Sequence, residues 1–368
     1  MFARFVEADT SVRPGETRVD ARDERLRAFM VDVAAPVLEE LGASVTLDAA
    51  NNVVARFGPE TGDELLLVSY PATHHGNEME DPLQPRVRDG LWVGLGASQG
   101  KGGLAAVCAA VAQLREQGED PAGRLAVAVS SEGSSSHASS EILYAGFERL
   151  PAGAVLVVGT GNRISLGNRG RVDVVVRVPG RATHSSAAGP GDNPIPVVAE
   201  ALRLLGPLPA GDRSHPQLGS PSLVPYRLQC GPVAPHTIPA WCELVLDRRI
   251  LPGEDPDAAV AEVADALAGL PVTVERSATM LPALVGPDAA VVTALQAGAC
   301  AALGRELETL YRRDTFDAGY PCSLGVPTVM CGPSTSEFGG HGVLGVDAVD
   351  PAALREAAAV FAAAIATR

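Results

Sequence analysis

One short segment gathers most of the side-chain types that could do acid–base or nucleophilic chemistry. The run from Ser130 to Ser140 reads SSEGSSSHASS and contains Ser131, Glu132 and His137 close together. A hydroxyl, a carboxylate and an imidazole can act jointly if the fold brings them within hydrogen-bond reach. The alternative is a flexible serine-rich loop. Neither a Gly-x-Ser-x-Gly elbow nor a Cys–His signature around Cys322 is present, so spacing alone leaves this geometry open.

A glycine-rich stretch suggests a second chemistry, phosphate binding. Residues 94–103 read GLGASQGKGG and include the pair Gly100 and Lys101. A P-loop needs a glycine five residues before that Gly and a Ser or Thr after the lysine. This chain has Leu95 and Gly102 at those positions. The sequence therefore excludes a nucleotide site of this type.

The composition is that of an acidic globular protein. The chain has 368 residues, of which 46% are hydrophobic and 20% charged, so it can bury a large core and is long enough for two domains. Its net charge of -15 disfavours nucleic acid and anionic membranes as partners. The N-terminus lacks a targeting pattern and no apolar run reaches membrane-spanning length, so we expect a cytoplasmic protein. Six cysteines are scattered without metal-site or disulfide-framework spacing, and we expect most to be buried thiols.

The apolar pattern predicts an α/β domain in the first part of the chain. Short buried-strand patterns at residues 65–69 and 125–130 flank an Ala-rich helical stretch at 103–117. Alternation of this kind indicates a mostly parallel sheet covered by helices. A helix, strand and helix pattern returns after about residue 284.

Between these parts, the pattern favours a different kind of domain. After about residue 170 the order becomes β-α-β-β-α-β, provided that one further strand lies near residues 226–233. That order predicts a small ferredoxin-like α+β sheet with two helices on one face. We therefore predict an α/β domain formed by residues 1–170 and 284–368, interrupted by an inserted domain at 171–283.

Segments along nearly the whole chain resemble the zinc aminoacylase and carboxypeptidase family, which includes acetylornithine deacetylase, succinyl-diaminopimelate desuccinylase and carboxypeptidase G. The family's His-x-Asp-Thr strand, Gly-Arg-Gly-x-x-Asp-x-Lys-Gly-Gly motif and Glu-Glu pair correspond to LLLVSYPATHH, GLGASQGKGG and VSSEGSSSHAS. Segments of its lid domain correspond to GRATHSS, GDNPI and LDRRILPG, and its C-terminal pattern to RDTFDAG, VPTVMCGPS and GGHGVLGVD. The resemblance implies a zinc-peptidase-like fold whose inserted domain is a lid and dimerisation domain, and hence a homodimer.

The resemblance also implies two zinc ions bridged by an Asp and completed by His and carboxylate ligands, with a further Glu as general base. The positions that would carry most of these groups hold other residues: Tyr70, Ala72, Gln99, Ser131 and Thr160. Only Glu132 and His341 keep a ligand type, and the amide of Gln99 is a poor bridge between two dications. We expect no cofactor, or at most one weakly held zinc at Glu132 and His341. His74 and His75 could replace a ligand, or could be exposed loop residues.

On the substrate side the resemblance implies a better-preserved site. Arg249 would hold a substrate carboxylate in a bidentate pair, unless it pairs with a carboxylate of the protein itself. Strand alternation places Arg248 on the opposite face. His184, on the lid, would steady the carbonyl oxygen of the substrate. The remaining positions expected on the substrate side are Asn193, His236, Asp317 and Ser334.

Three hypotheses of function remain open. In the first, the protein binds a small amino-acid-derived or carrier-attached substrate and acts on its amide or acyl group without paired zinc. Acyl transfer, amide formation or cyclisation, and metal-free hydrolysis all fit, with His184, His341 or Glu132 as the acid or base. In the second, it is a non-catalytic binding or scaffold protein. In the third, it is a mono-zinc N-acyl amino acid hydrolase. The sequence names no substrate.

Overall fold

The chain forms two units, and the second interrupts the first along the sequence. A computed structural model describes residues 1–13, 16, 19–20, 22–76, 79–133, 136–209, 212–334 and 347–366. Unit 1 comprises Met1–Asn168, Ala283–Arg312 and Phe316–Arg368, and unit 2 comprises Arg169–Pro282 and Arg313–Thr315. In the part of the chain that is described, no helix has both the length and the apolar character needed to cross a membrane.

The strands and helices are numbered here along the chain. The strands are β1 (Ser44–Leu47), β2 (Val53–Phe57), β3 (Glu64–Ser69), β4 (Arg86–Arg88), β5 (Leu91–Val93), β6 (Arg124–Val129), β7 (Gly153–Leu156), β8 (Ile164–Asn168), β9 (Gly170–Pro179), β10 (Thr183–His184), β11 (Ser222–Gly231), β12 (Thr237–Ile238), β13 (Trp241–Ile250), β14 (Thr273–Met280), β15 (Ala283–Leu284), β16 (Thr309–Arg312), β17 (Thr328–Met330) and β18 (Ala348–Val349). The helices are α1 (Phe2–Glu7), α2 (Glu24–Ala28), α3 (Ala35–Glu40), α4 (Gly100–Gln117), α5 (Ala138–Ala145), α6 (Ile195–Leu205), α7 (Pro256–Ala266), α8 (Ala290–Leu303), α9 (Gly319–Ser323) and α10 (Pro351–Ala366).

The large sheet of unit 1 has a parallel centre. Its order is β1-β2-β6-β3-β7-β17-β8-β15, with β16 paired to β8, and the pairs β6–β3, β3–β7 and β7–β17 are parallel. Every residue of β3 is buried, as expected for a strand with both faces covered. The buried side chains of α4, α8 and α10 pack with those of the strands in the main core. The predicted helix-covered, mostly parallel sheet is confirmed.

The glycines at the start of α4 have a packing role. A side chain at Gly100 would collide with the carbonyl oxygen of Tyr70, and one at Gly103 would collide with that of Val157. Helix α4 therefore begins in close contact with the chain at the ends of β3 and β7. This close approach accounts for the glycine-rich stretch without any phosphate.

Unit 2 contains a four-stranded antiparallel sheet of order β11-β13-β9-β14. The inward-facing side chains of β9 and β13, such as Val174 and Leu246, form one core with α6 and α7. The chain order β9-α6-β11-β13-α7-β14 is the predicted β-α-β-β-α-β arrangement, which is confirmed.

Two cysteines of unit 2 correct the expectation that most cysteines are buried thiols. Cys230 and Cys242 lie opposite each other on β11 and β13 and form a disulfide. Among the other four, Cys108 and Cys331 are buried thiols and Cys300 is exposed. Strand register brought the pair together, and their spacing in the sequence gave no sign of it.

Candidate active site

The positions that resemble metal-site positions cluster in unit 1, at the carboxyl ends of neighbouring parallel strands. Tyr70 follows β3, Ser131 follows β6 and Thr160 follows β7, while Gln99 immediately precedes α4. Carboxyl ends of parallel strands meet at one edge of a sheet, which is where open α/β folds place their ligands. The Ser69 hydroxyl donates to the Gly100 carbonyl at 2.7 Å and joins two of these segments. This edge is the candidate site of unit 1.

An aromatic ring occupies the first metal-type position. Tyr70 is buried, and its ring lies so close to Gly133 that a side chain there would approach the ring carbons to 2.5 Å. Gly133 has a φ of +61°, which glycine adopts without strain. Ala72 is also buried and has no donor atom in its side chain. The ring and the methyl group thus pack where relatives would have an imidazole and a carboxylate.

The Gln99 side chain faces a carboxylate that the sequence analysis did not identify. Asp347 is fully buried and accepts hydrogen bonds from the Gly96 amide (2.6 Å), the Ser98 amide and hydroxyl (2.8 Å each) and Gln99 Nε2 (3.4 Å). Burial raises the pKa of Asp347, while these hydrogen bonds favour its charged form. The Gln99 amide therefore donates one long hydrogen bond to an internal carboxylate.

The Thr160 hydroxyl is also engaged within the protein. It donates to the Arg163 carbonyl at 2.6 Å and accepts from the Gly332 amide at 3.1 Å. The residue is fully buried. Since both hydrogen-bonding roles of the hydroxyl are used, it links the end of β7 to the segment after β17.

Glu132 stabilises the turn that leads into α5. Its Oε2 accepts from the Ser136 hydroxyl at 2.8 Å and from the Ser139 amide at 3.1 Å, at the start of the helix, where negative charge is favourable. The neighbouring Ser131 donates its amide to Asn52 Oδ1 at 2.9 Å. The Ser131 hydroxyl is buried and makes no hydrogen bond to any residue that the structure describes.

His137 and Asp317 form a buried pair in the same region. His137 Nδ1 lies 2.5 Å from one carboxylate oxygen of Asp317, and the Ser140 hydroxyl donates to the other. Burial raises the pKa of Asp317, and the hydrogen bond from His137 opposes that shift. The Tyr320 ring centre lies 5.6 Å from that of His137. His137 thus immediately precedes α5 and forms an acid–base pair with Asp317.

The residues present do not fit a paired zinc site. Across the described ranges, no group of three or more His, Cys, Asp or Glu side chains could hold a metal ion. Uncharged side chains at positions 70, 72, 99 and 160 leave two dications without the anionic ligands that a buried site requires. At most one zinc is compatible with the remaining ligand types. His341 lies outside the described residues, so a single zinc between it and Glu132 stays a prediction.

In unit 2, Arg249 is oriented by the protein itself. Its Nε and Nη2 donate to the two oxygens of Asp247 at 2.7 Å each, and Nη1 donates to the Thr315 hydroxyl at 2.6 Å. The neighbouring Arg248 is fully buried and pairs with Glu254 and Glu262. The two arginines thus point to opposite sides of β13, as strand alternation predicts.

His184 lies on a short two-stranded ribbon formed by β10 and β12. It is exposed, its Nδ1 accepts from the Ser186 amide at 3.3 Å, and its ring centre lies 6.0 Å from that of His236. The side chain of Asn193 accepts from the Ile195 amide at 3.1 Å at the start of α6. Ser334, in unit 1, is buried after β17.

Comparisons with known proteins agree with this architecture. Residues 166–273 match the peptidase dimerisation domain family. The succinyl-diaminopimelate desuccinylase of Rhodospirillum centenum is 28% identical over 236 residues, which span 60% of this chain and 60% of that protein. The enzyme of that name from Pseudomonas syringae pv. syringae is 26% identical over 87% of this chain and 86% of its own. Human carnosine dipeptidase 1 has the same fold, with a TM-score of 0.78, 17% identity and coverage of 99% of this chain and 94% of that one.

Proposed function

We propose that the protein acts on the amide or acyl group of an amino-acid-derived, carboxylate-bearing substrate without a paired zinc centre. The class of reaction follows from its membership of the zinc aminoacylase and peptidase family. One observation carries the metal-independent part of the proposal. At Tyr70, Gln99 and Thr160, the side chains that stand in for metal ligands are engaged in packing or in hydrogen bonds to the protein. Amide hydrolysis and transfer of the acyl group to another acceptor both fit this arrangement.

We propose that Arg249 binds the carboxylate of the substrate. A guanidinium has five N–H groups, and Asp247 and Thr315 take three of those on Arg249. The remaining two, one on each terminal nitrogen, have no partner among the described residues. A carboxylate can bind a guanidinium through one N–H of each terminal nitrogen. Asp247 thus orients Arg249 for a bidentate pair, and His184 is proposed to steady the carbonyl oxygen.

The first experiment measures metal content and turnover together. The purified protein is dialysed, its zinc is measured by mass spectrometry, and it is assayed with N-acetyl amino acids and with N-succinyl-L,L-diaminopimelate, with and without a chelator. We expect less than one zinc per chain and a rate that the chelator leaves unchanged. Two retained zinc ions per chain, with activity lost on chelation, would contradict the proposal. Turnover that needs a single zinc would favour the mono-zinc hydrolase instead.

A second experiment tests the carboxylate anchor. R249K keeps the charge but loses the planar fork, so we expect KM to rise about 10-fold to 100-fold, the equivalent of one strong charged hydrogen bond. The matched control is R203A, because Arg203 is an exposed arginine of unit 2 that pairs with Glu200 on its own helix. Equal KM values for R249K, R203A and the wild-type protein would remove Arg249 from the proposal.

We also propose a homodimer formed through unit 2, because that unit contains most of the match to the peptidase dimerisation domain. Binding without catalysis remains the alternative function. It would be favoured if N-acyl amino acids bound in an Arg249-dependent way but were never turned over.

A further inference from the structure

We infer that the disulfide between Cys230 and Cys242 is a redox-sensitive cross-link that keeps His184 in position for the substrate. The inference rests on the proposed function, in which His184 steadies the carbonyl oxygen, and adds a means of controlling it. The two cysteines close a segment of chain that contains β12. Strand β12 in turn pairs with β10, which carries His184. Reduction would therefore remove the covalent tie at the base of the segment that supports His184.

The disulfide lies where the chain leaves the four-stranded sheet of unit 2. Cys230 on β11 is directly opposite Cys242 on β13, and one further pair, Gly231 and Trp241, ends the ladder. The connecting segment, residues 232–240, then runs outside that sheet. The cross-link is thus at the base of the connecting segment.

The connecting segment has few buried side chains to hold it. Residues 232–236 are all exposed, and Ile238 and Pro239 are the two buried residues in the segment. A segment with so little burial opens more easily than the core, so its conformation depends on how its ends are fixed. A disulfide limits the conformations that the closed segment can adopt. Cys230 and Cys242 are thus positioning residues for whatever the segment supports.

Backbone hydrogen bonds connect this segment to His184. Thr237 on β12 lies opposite His184 on β10, and the Ser185 amide donates to the His236 carbonyl at 2.8 Å. The ribbon of β10 and β12 has only two residue pairs. Because so short a ribbon is not stable by itself, its position depends on the segments that carry its strands. A change in the connecting segment should therefore move His184.

The two sulfurs differ in their access to solvent. Cys242 is fully buried in a cluster with Val178 and Val198, whereas Cys230 is only partly buried. Disulfide exchange begins when a thiolate attacks one of the two sulfurs. We expect that attack at Cys230, because its sulfur belongs to the more accessible residue.

The redox step balances with a dithiol as the reductant. Its first thiolate forms a mixed disulfide with Cys230, and Cys242 leaves as a thiolate and takes up a proton. The second thiol of the reductant then displaces Cys230 and closes a cyclic disulfide. The protein gains two electrons and two protons, and the dithiol loses both. An oxidised thiol compound reverses the change.

The kinetic test compares the wild-type protein before and after native reduction with dithiothreitol, on the N-acyl substrates named above. We expect kcat to fall by about 10-fold to 100-fold, because a catalytic group displaced by about 1 Å loses much of its effect. KM should change little, since Arg249 on β13 lies outside the connecting segment. Activity should return when oxidised glutathione replaces dithiothreitol. Equal kcat in the oxidised and fully reduced protein would overturn the inference and leave the proposed function intact.

Matched variants separate this disulfide from other thiols. The double variant C230S and C242S should have the low kcat of the reduced protein and should not respond to dithiothreitol. Cys300 is an exposed free thiol, so C300S should match the wild-type protein in both states. Thermal unfolding checks that each variant is folded. Mass spectrometry after alkylation counts the free thiols, and six free thiols before any reduction would also overturn the inference.

A further measurement does not need turnover. Side-chain nitrogen NMR of histidine-labelled protein resolves the 7 histidines, and H184Q identifies the His184 signals. We expect the His184 and His236 signals to shift on reduction and to return on reoxidation. His184 signals that are identical in the oxidised and fully reduced protein would overturn the inference. This holds even if the wild-type protein turns over none of the substrates, a result that by itself would count only against the proposed function.

Discussion

The amine of Lys101, the only lysine in the sequence, is held away from water. Its side chain is fully buried and donates to the Ala8 carbonyl at 2.7 Å. Burial lowers the pKa of Lys101 to about 7 from 10.5, although the charges of Asp9 and Asp347 oppose that shift. Between these two pH values, the unfolded chain binds a proton that the folded chain does not. Raising the pH through this window should therefore stabilise the fold.

The prediction for Lys101 is a pH-dependent difference in stability. As the pH rises from about 7 towards 10.5, the free energy of unfolding of the wild-type protein should increase relative to that of K101M. Urea denaturation of both proteins at several pH values measures this difference. Because the chain has no other lysine, NMR of protein labelled with nitrogen-15 lysine can follow this amine directly. A difference between the two proteins that is constant with pH would contradict the prediction.

At the residue scale, the sequence revealed the side-chain types of the site but not their partners. The loss of metal-ligand types at Tyr70, Gln99 and Thr160 could be recognised from the resemblance. The carboxylate that faces Gln99 could not be recognised from the sequence, because Asp347 lies 248 residues further along the chain. The same is true of His137 and Asp317, which are 180 residues apart. Only the folded strands bring such groups together, and no spacing rule covers these separations.

At the scale of one strand, β13 carries two arginines with different duties. Arg248 is fully buried beside Glu254 and Glu262, which Arg213 also contacts. In R248M these two carboxylates would keep Arg213 as a cationic partner but lose Arg248. We therefore expect a loss of about 3 kcal/mol of stability. R249M, on the opposite and partly exposed side of β13, should lose less. Urea unfolding of both variants measures the difference, and a loss below about 1 kcal/mol for R248M would contradict this account.

The elements themselves were more predictable than the site. An apolar run predicted the strand β3, and helical spacing of apolar residues predicted the helix α4. Both could be predicted because buried positions require apolar residue types. The extra strand expected near 226–233 is present as β11 at Ser222–Gly231. Its position was uncertain because half of its residues are exposed and only one is buried, so neither a buried run nor a clean alternation marks it. The disulfide to β13 was missed because it depends on register.

At the scale of the whole molecule, β11 is an exposed edge that favours self-association. It lies at one end of the sheet order in unit 2, and Val224, Tyr226 and Leu228 on it are each about half exposed (51%, 49% and 50%). An uncovered apolar edge strand is prone to pair with another strand. In this chain it lies within the match to the peptidase dimerisation domain. These features fit pairing of β11 with a second copy of the chain.

The dimer prediction can be tested with charged substitutions on that strand. The double variant V224K and L228K should shift the protein towards a monomer, because lysines on both copies would repel each other and disrupt apolar contact. Light scattering during size-exclusion chromatography measures the mass. The control is V87K, at an exposed valine of unit 1. A wild-type protein that is already monomeric, or a double variant that remains dimeric, would rule out this interface.

The hydrogen bonds of Asp347 also bear on how the protein is made. This carboxylate holds Gly96 and Ser98, which lie 251 and 249 residues before it. A ribosome therefore releases β1 to β17 and the whole of unit 2 before the group that anchors the loop ahead of α4 emerges. Closing so long a loop is slow and entropically costly. The nascent chain should thus carry an unfinished loop until Asp347 has emerged, and residues 94–99 should be protected from proteases only from that point on.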